Sequence, residues 1–569
     1  MKKIISALLS AALISALYVP VSFAEETMCI YVDVKNGDDS AGNGKIDAPY
    51  KTVQRGFKDV AAARGSISKG TVQVILREGI YSMDSLQIDS TLSGTDNVTV
   101  ELKGYDGEYA KITAANSIDT NLLKKVDDNA ILSRIPEDSR DKIYQLNLKE
   151  AGINFSPVYD AKTGNTGTVR NFDFYWNDKV MDIARWPNAD EYTKTASVTL
   201  NDKEAGSIGF TMSDDRILRW KTAENPYVHG FFYYEWMDSI MPIASINTEN
   251  KEIKTQGYPI YGAVVDRRFF VFNLLEEIDS PGEYYLDKKS GILYLYPDGD
   301  INSADFSYVC NNQSSLLSLT GVKNFKISNL NIGGSTSTGV NLNTCDNIRI
   351  ENCRIFAVSK TGIQFGWNEQ ASTNCTVYGC DIYDIGCRAI AIQSGDTKTL
   401  TPGNVVIENN NIHRFAQKIK TYEPGVYLLG VGNTVRNNLI HDAPHMCIHF
   451  SGNENVIEYN EIFDAIKETG DAGLIYGGRS FTARNYIRNN LFHDMGRGTQ
   501  LMTIYCDDNM SGTQIENNTF IGQTAGIAIG GGRWTKANNN LFLDKGWDGN
   551  GAGIKLDERG VNFAREYLI

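Results

Sequence analysis

Three short stretches of this 569-residue chain bring carboxylates, cations and glycines together at positions that belong to no repeat. One is Glu468-Thr-Gly-Asp471-Ala-Gly-Leu-Ile-Tyr-Gly-Gly-Arg479. The second is Met502-Thr-Ile-Tyr505-Cys-Asp507-Asp508, and the third is Gly530-Gly-Gly-Arg533-Trp534. A strand that ends in two adjacent aspartates, between glycine-rich counterparts, leaves its carboxylates on an open face. Paired carboxylates can split an acetal: one protonates the leaving oxygen while the other attacks or activates water. Carboxylates on adjacent parallel strands would stand about 5 Å apart, and about 10 Å apart with one strand skipped. Those separations bracket the retaining and inverting geometries of that chemistry.

Aligning Tyr476 with Tyr505 puts Asp508 beside Arg479 on one side and predicts Arg533 on the other. Two guanidiniums favour an ionised carboxylate, which suits a nucleophile or general base. Asp471 has no basic neighbour in sequence and suits the acid. Asp471 and Asp508 are therefore the expected catalytic pair, with Asp507, Glu468, Arg479, Arg533, Tyr505, His449 and Glu423 expected to bind substrate. The same alignment sets Asp471 beside Gln500, more than about 20 Å from Asp508 along a straight strand. A turn near Asp471–Gly473 must fold it back, or the partner is another residue. The plain alternative is an Arg–Asp–Arg salt-bridge ladder without chemistry.

What must position these side chains is a repeat. From about Phe325 to Phe542 a six-residue phrase recurs: Ile327-Ser-Asn-Leu-Asn-Ile332, Ile350-Glu-Asn-Cys-Arg-Ile355, Ile407-Glu-Asn-Asn-Asn-Ile412, Val435-Arg-Asn-Asn-Leu-Ile440, Ile487-Arg-Asn-Asn-Leu-Phe492. The closing apolar residues step by 22 to 30 residues. Periods of that length mark repeat architectures. The units are rich in Ile, Val, Phe, Thr and Asn with Gly between short apolar runs, which is strand and turn chemistry. The fold class is all-β: a right-handed parallel β-helix, each strand pairing with its counterpart one coil on, about 4.8 Å away. Asn410, Asn438, Asn460, Asn490, Asn518 and Asn540 then fall in one column, at a tight corner where Asn tolerates the left-handed conformation and can bond its neighbours above and below. Cys353 and Cys380 occupy that column in earlier coils.

Recurrence also separates scaffold from site. Five of the six histidines lie between His413 and His493, which resembles a metal cluster. Yet His413, His441 and His493 each follow a closing aliphatic or aromatic residue, and Asp384, Asp442, Asp464, Asp494 and Asp544 fill the next column. These are corner ladders, and no metal site is expected. His445 and His449 are singletons. His449 should point outward between inward Ile448 and Phe450.

The chain opens with basic Met1-Lys-Lys3, an apolar run to about Val19, and small residues up to Ala24. This is a signal-peptide pattern, so residues 1–24 are expected to be removed and the product to be exported, extracellular or periplasmic. No other apolar run approaches the roughly 20 residues of a membrane span. The net charge of −14, which becomes −16 without Lys2 and Lys3, argues against nucleic acid and anionic membranes as partners. The nine cysteines are read as buried small apolar residues rather than bridges, and no Cys-x-x-Cys pair marks a zinc ribbon. Residues 25–115 should form an N-terminal cap and the first coils. Val53, Phe57 and Val60 have helical spacing, and a short helix there would cover the solenoid's open end. The Asp33–Asp39 turn could hold calcium but lacks a ligand pattern; no cofactor is required. From 116 to 308 the repeat vanishes, and strand-like runs such as Val169–Trp176 and Phe269–Phe272 predict an inserted, mostly-β domain. Its aromatic and acidic side chains, in Ala184-Arg-Trp-Pro-Asn188 and Leu275-Glu-Glu-Ile-Asp-Ser-Pro-Gly-Glu-Tyr-Tyr-Leu-Asp287, could line a sugar cleft. Residues 309–569 form the main solenoid, and a monomer is expected.

Ala184–Asn188, Pro281–Asp287, Glu423-Pro-Gly, His441-Asp-Ala-Pro444, Glu468-Thr-Gly-Asp-Ala-Gly and Tyr505-Cys-Asp-Asp together resemble the secreted β-helical glycoside hydrolases. Family 141, with its α-L-fucosidases and xylanases, is the nearer match; the β-xylosidases of family 120 are a more distant parallel. The resemblance spans nearly all of the chain after residue 24. It implies a carbohydrate substrate and two catalytic aspartates, best placed as Asp471 with Asp507 or Asp508. Such proteins continue past the Leu556–Gly560 region with further coils, so a truncated, uncapped end is expected here. Two other readings fit a β-helix: a polysaccharide lyase with a Lys, Arg, Tyr or His base and calcium-binding carboxylates, and a non-catalytic glycan-binding solenoid.

Overall fold

The computed structural model describes residues 25–366, 371–479, 484–496, 498, 500–522, 525–543 and 552–557. The expected leader, the column position Asp544 and the chain's end beyond Asp557 lie outside the described residues.

From Gly70 onward the chain repeats one itinerary: a strand in a first sheet, a strand in a second, a strand in a third, then back to the first. One complete turn is Asp346–Glu351, Arg354–Val358 and Ile363–Phe365. Twelve strands stack in the first sheet and eleven in each of the other two. Neighbours are parallel and in register, so like residues stack. Ile327, Ile350, Val377, Ile407, Val435, Ile457, Ile487 and Ile515 form one inward column, and every one is buried. The repeated phrase is thus one sheet, one corner and the start of the next sheet. Its two apolar ends face the core because the corner reverses the chain's direction between them.

The corner itself is an asparagine ladder. The Asn438 Oδ1 accepts from the Asn410 backbone N–H at 2.9 Å and from its Nδ2 at 3.0 Å, and the pattern continues through Asn460, Asn490, Asn518 and Asn540. Each Nδ2 also donates to a carbonyl of the preceding coil, Asn438 to Ile407 O at 3.0 Å. One expectation is corrected. The left-handed residue is not the ladder Asn but the one before it: Asn409, Asn437, Tyr459, Asn489, Asn517 and Asn539. The ladder residue needs an ordinary backbone so that its amide points along the stack. A second, shorter ladder, Asn433–Asn455–Asn485, holds the corner between the third and first sheets. All nine cysteines are free thiols, seven of them buried. Asp384, Asp442, Asp464 and Asp494 are left-handed residues within the second sheet's strands, at the position Ala357 takes in an earlier coil.

At the start of the solenoid, helix Val53–Ser66 is capped by Thr52 and buries Val53, Phe57, Val60 and Ala63. Gly56 lets it lie against Val32 and Val74. In the preceding turn Asp33, Asp38 and Asp39 accept backbone N–H groups of Lys35, Asn36, Ser40, Ala41, Lys51 and Thr52, so these carboxylates close turns. Among the described residues no helix is long and apolar enough to cross a membrane.

The inserted segment leaves the coil after Ala110–Thr113 and rejoins at Leu317–Thr320, which pairs back onto Leu86–Asp89. It builds its own antiparallel sheets, with Phe172–Trp176 on Phe306–Cys310 and Tyr227–Gly230 on Arg268–Phe272. It docks on the coils through buried ion pairs: Lys418 Nζ lies 2.6 Å from Asp173 Oδ2, and buried Lys162, paired with Asp238, donates to Thr421 Oγ1 at 2.6 Å. The coil residues Cys387 and Ile419 sit in the insert's apolar core.

Candidate active site

The third sheet carries the singletons. In its strands Ile448, Phe450, Ile475 and Ile504 face inward and are buried. The alternation of a strand then turns the next residues outward. Register makes those a column: Tyr427, His449, Tyr476, Tyr505 and Ala528. Ring centroids are 4.8 Å apart for Tyr427–His449, 5.7 Å for His449–Tyr476 and 5.5 Å for Tyr476–Tyr505. The expected Tyr476–Tyr505 alignment and the outward His449 are both present.

Asp507 ends the strand Leu501–Asp507 opposite Gly478. On the following coil stands Gly530, where a Cβ would come within 3.2 Å of Asp507 Oδ1. Glycine on both flanks therefore leaves room beside this carboxylate. Tyr476 OH donates to Asp507 Oδ2 at 3.2 Å. Asp508 is different: it turns away in a left-handed conformation, its N–H returns to Asp507 Oδ1 at 2.9 Å, and its carboxylate bonds Arg479 Nε at 3.1 Å.

Asp471, also left-handed, immediately precedes the strand Ala472–Gly478. Tyr505 OH donates to its Oδ1 at 3.4 Å. The fold-back demanded by the sequence is visible at Gly473. That residue pairs with Met502, which on a straight strand would leave it about 10 Å along the chain from Tyr505. Instead a Cβ on Gly473 would lie 2.7 Å from Tyr505 Cβ and 2.9 Å from Ile475 O. The chain curls there, which only a residue without a side chain permits, and the curl carries Asp471 over the tyrosines.

Tyr422 completes the group from an earlier coil. Burial, then the charges of Asp507 and Asp471, push its hydroxyl pKa well above the usual tyrosine range, with Arg479 opposing. Burial, Asp507 and Tyr422 do the same to Tyr476. These phenols stay protonated and can donate hydrogen bonds to anions. Burial and the Arg388 charge pull His449 down to about 4, and its buried Nδ1 has no hydrogen-bond partner among the described residues. His445 is fully buried and pulled down to about 3, with Nδ1 2.8 Å from Thr469 Oγ1. Both imidazoles are neutral near pH 7.

The remaining expected residues scatter around this centre. Glu423 is gripped by Arg388 at 2.6 and 3.2 Å, and that guanidinium lies 4.5 Å above the Tyr427 ring, at the far end of the column. Glu468 is not with the aspartates. It lies half-buried under the insert, accepting from Tyr192 OH and from Lys420 Nζ at 2.9 Å. Burial works to raise its pKa, but Lys420, Tyr192 and Arg185 hold it below the ordinary carboxylate value. It lines a cavity of about 350 Å³ between insert and coils together with Asp173, Arg185, Phe270, Lys418 and Lys420. Lys418 and Lys420 there are paired with carboxylates of the same wall, so this cavity is a charged seam between two bodies, separate from the open face at Asp507. Arg533 is a correction: its N–H bonds Ser511 Oγ at 3.0 Å and its carbonyl accepts from Gly512, so it stands three residues beyond Asp508, and the Arg–Asp–Arg ladder is reduced to the Arg479 pair. Tyr422 was missed by sequence reasoning. It abuts the singled-out Glu423-Pro-Gly, and its off-repeat position was the available signal.

Comparison with known proteins follows this geometry. A family model described as a right-handed β-helix region matches residues 286–418 and 371–542. A solved structure described as a glycoside hydrolase superposes over 92% of this chain and 96% of its own, with a TM-score of 0.70 at 14% identity. The chain is a right-handed parallel β-helix. A complex of XylC with xylose is similar over 89% of this chain and 70% of its own, with a TM-score of 0.49 and 14% identity. A lacto-N-biosidase of Eubacterium ramulus, of family GH136, is similar over 91% and 68%, with a TM-score of 0.34 and 11% identity. No curated protein matches.

Proposed function

We propose that this protein is an exported glycoside hydrolase that cleaves a complex oligo- or polysaccharide with Asp471 and Asp507. The observation that carries the reading is the convergence of those two carboxylates on Tyr422, Tyr476 and Tyr505. The fold likeness to a glycoside hydrolase supports it. Asp507 replaces Asp508 in the pair because Asp508 is engaged by Arg479, while Asp507 has glycines on both sides. Asp507, with the shorter tyrosine hydrogen bond, serves as nucleophile or base: the phenol steadies its ionised form. Asp471 protonates the departing oxygen. A lyase with a tyrosine base would need a phenolate, and the tyrosines here are held protonated. The resemblance to family 141 names α-L-fucosides and xylans as the first substrates to try.

The test is kinetic. Asp507→Asn should abolish turnover on every substrate. Asp471→Asn should slow substrates with poor leaving groups far more than activated aryl glycosides, because only the former need protonation. An Asp507→Asn protein as active as the parent would sink the assignment. An exported product whose intact mass begins near Glu25 would support secretion; a retained Met1 would oppose it.

A further inference from the structure

The insert carries an aromatic knob that neither the scaffold nor the carboxylate pair uses. Tyr234 and Trp236 stack at 5.0 Å and 15°, and Tyr261 stands edge-on to both, at 5.0 and 5.3 Å. Such side chains normally hide. Here Tyr234 is 41% and Tyr261 43% exposed, with Ile260 at 50% beside them. Contiguous exposed apolar surface of this kind marks a binding face.

The knob continues into the candidate site. Trp236 meets Tyr422 at 6.2 Å, and Tyr422 meets Tyr476 at 6.4 Å. Its backbone is tied to the aspartate turn as well: Gly470, the residue before Asp471, donates its N–H to Glu235 O at 3.3 Å. Arg268 holds the Glu235 carboxylate and donates to Glu468 O at 2.7 Å. The rings and Asp471 are therefore fixed to one another across two parts of the fold.

We propose that the exposed Tyr234 and Tyr261 rings, braced by Trp236, form a stacking subsite for a sugar ring of the same saccharide chain whose bond lies at Asp471 and Asp507. This rests on the hydrolase reading for the identity of the occupant. The chemistry fits: tyrosine and tryptophan offer flat apolar faces with polar rims, matching the apolar faces and hydroxyl edges of a pyranose. The continuous run of rings to Tyr422 gives the chain a path. The substrate class that follows is an extended saccharide.

The full-length protein would be run in native gels containing xylan, xyloglucan or pectin. Retardation by at least one of these is expected. A Tyr234→Ala/Tyr261→Ala variant with an unchanged melting temperature should need about tenfold more polysaccharide for the same retardation, the scale of a lost aromatic stack. A Tyr234→Phe/Tyr261→Phe variant should keep most of it. Equal retardation of the alanine variant, loss in the phenylalanine variant, no retardation of the parent in any gel, or a knob that only mediates self-association would overturn the subsite. Asp507→Asn separates the two readings. If it stays fully active while the alanine variant binds weakly, the subsite stands and the carboxylate assignment falls.

Discussion

Two columns of rings run up the outside of this solenoid, and they obey different rules. On the second sheet Phe356, Tyr383, His413, His441, Phe463 and His493 stack at 4.6 to 5.4 Å with interplanar angles of 6° to 15°. Each histidine is bonded through Nε2, His413 to Asp381, His441 to Asn411 and His493 to Glu461, and His493 Nδ1 meets Asp494 as well. On the third sheet Tyr427, His449, Tyr476 and Tyr505 lie slightly farther apart, at 4.8 to 5.7 Å, and tilt by 29°, 42° and 85°. Here a histidine nitrogen has no hydrogen-bond partner among the described residues and hydroxyls point at carboxylates. The same parallel register produced both. A repeat left to itself relaxes into plane-parallel stacks; rings that depart from it, beside glycines that make space, are arranged for something outside the chain.

The largest effect separating the columns should come from Tyr476→Phe. It removes one hydroxyl that donates to Asp507 and nothing from the stack. Turnover should fall about a hundredfold, the scale of losing one pre-placed donor, while the melting temperature barely moves; unaltered steady-state rates would return Tyr476 to the scaffold. Asn438→Ala breaks the corner ladder and leaves buried amides unpaired, lowering stability by about 1–3 kcal/mol with the kinetics of the folded fraction intact. Lost activity at full stability in a denaturation series would contradict the division between scaffold and site. Phe463→Ala, in the regular column, should lower stability by about 1 kcal/mol with no change in kcat/KM.

The remaining effect is one of pH, and its sign differs between the columns. Burial opposes protonation of His493, but hydrogen bonds to Asp494 and Glu461 hold its pKa above the usual histidine value. Its contribution is fully present below the unfolded pKa and fades as pH rises through the folded one. His449, held at about 4 by burial and Arg388, does the opposite: its neutral form favours the fold, and that advantage is lost as pH falls from the unfolded pKa of about 6.5 towards 4. Unfolding curves between pH 4 and 8 should therefore steepen in acid for His493→Gln and flatten for His449→Gln. Parallel curves would mean that neither ring is coupled to the fold as described.

The solenoid was legible because a repeat writes its register into the sequence nine times over. The Asn column, the histidine ladder and the Tyr476–Tyr505 pairing all followed from period alone. What escaped lies where the period breaks. Arg533 was misplaced because Gly530–Gly532 offer no side chains to mark the register: the Tyr505–Ala528 pairing already carries Arg533 past Asp508 to Met510, and a corner one residue shorter than its counterpart carries it on to Ser511. The Asn433–Asn455–Asn485 ladder was missed because only three coils carry it, although each Asn stands two residues before the opening aliphatic residue of the repeated phrase. The need for a turn near Asp471–Gly473 was legible, but not that it would set Asp471 on Tyr505, and Tyr422 reaches the aspartates only through the winding of coils. Nothing in the linear sequence marked Tyr234 and Tyr261 as neighbours of that same group.

The interruption of the second coil has a consequence for how the chain reaches its fold. Leu317 must find Leu86 across roughly 230 intervening residues, and bringing such distant segments together costs conformational entropy that grows with the length of the loop. The insert shortens the search. Its two ends are zipped together by the pairs Asn116–Tyr308 and Ser117–Ser307. Once it has formed, the solenoid meets a short link in place of a long tether. Assembly of the early coils is then expected to wait on the insert, while the uninterrupted coils after Leu317 can stack by adding neighbour to neighbour.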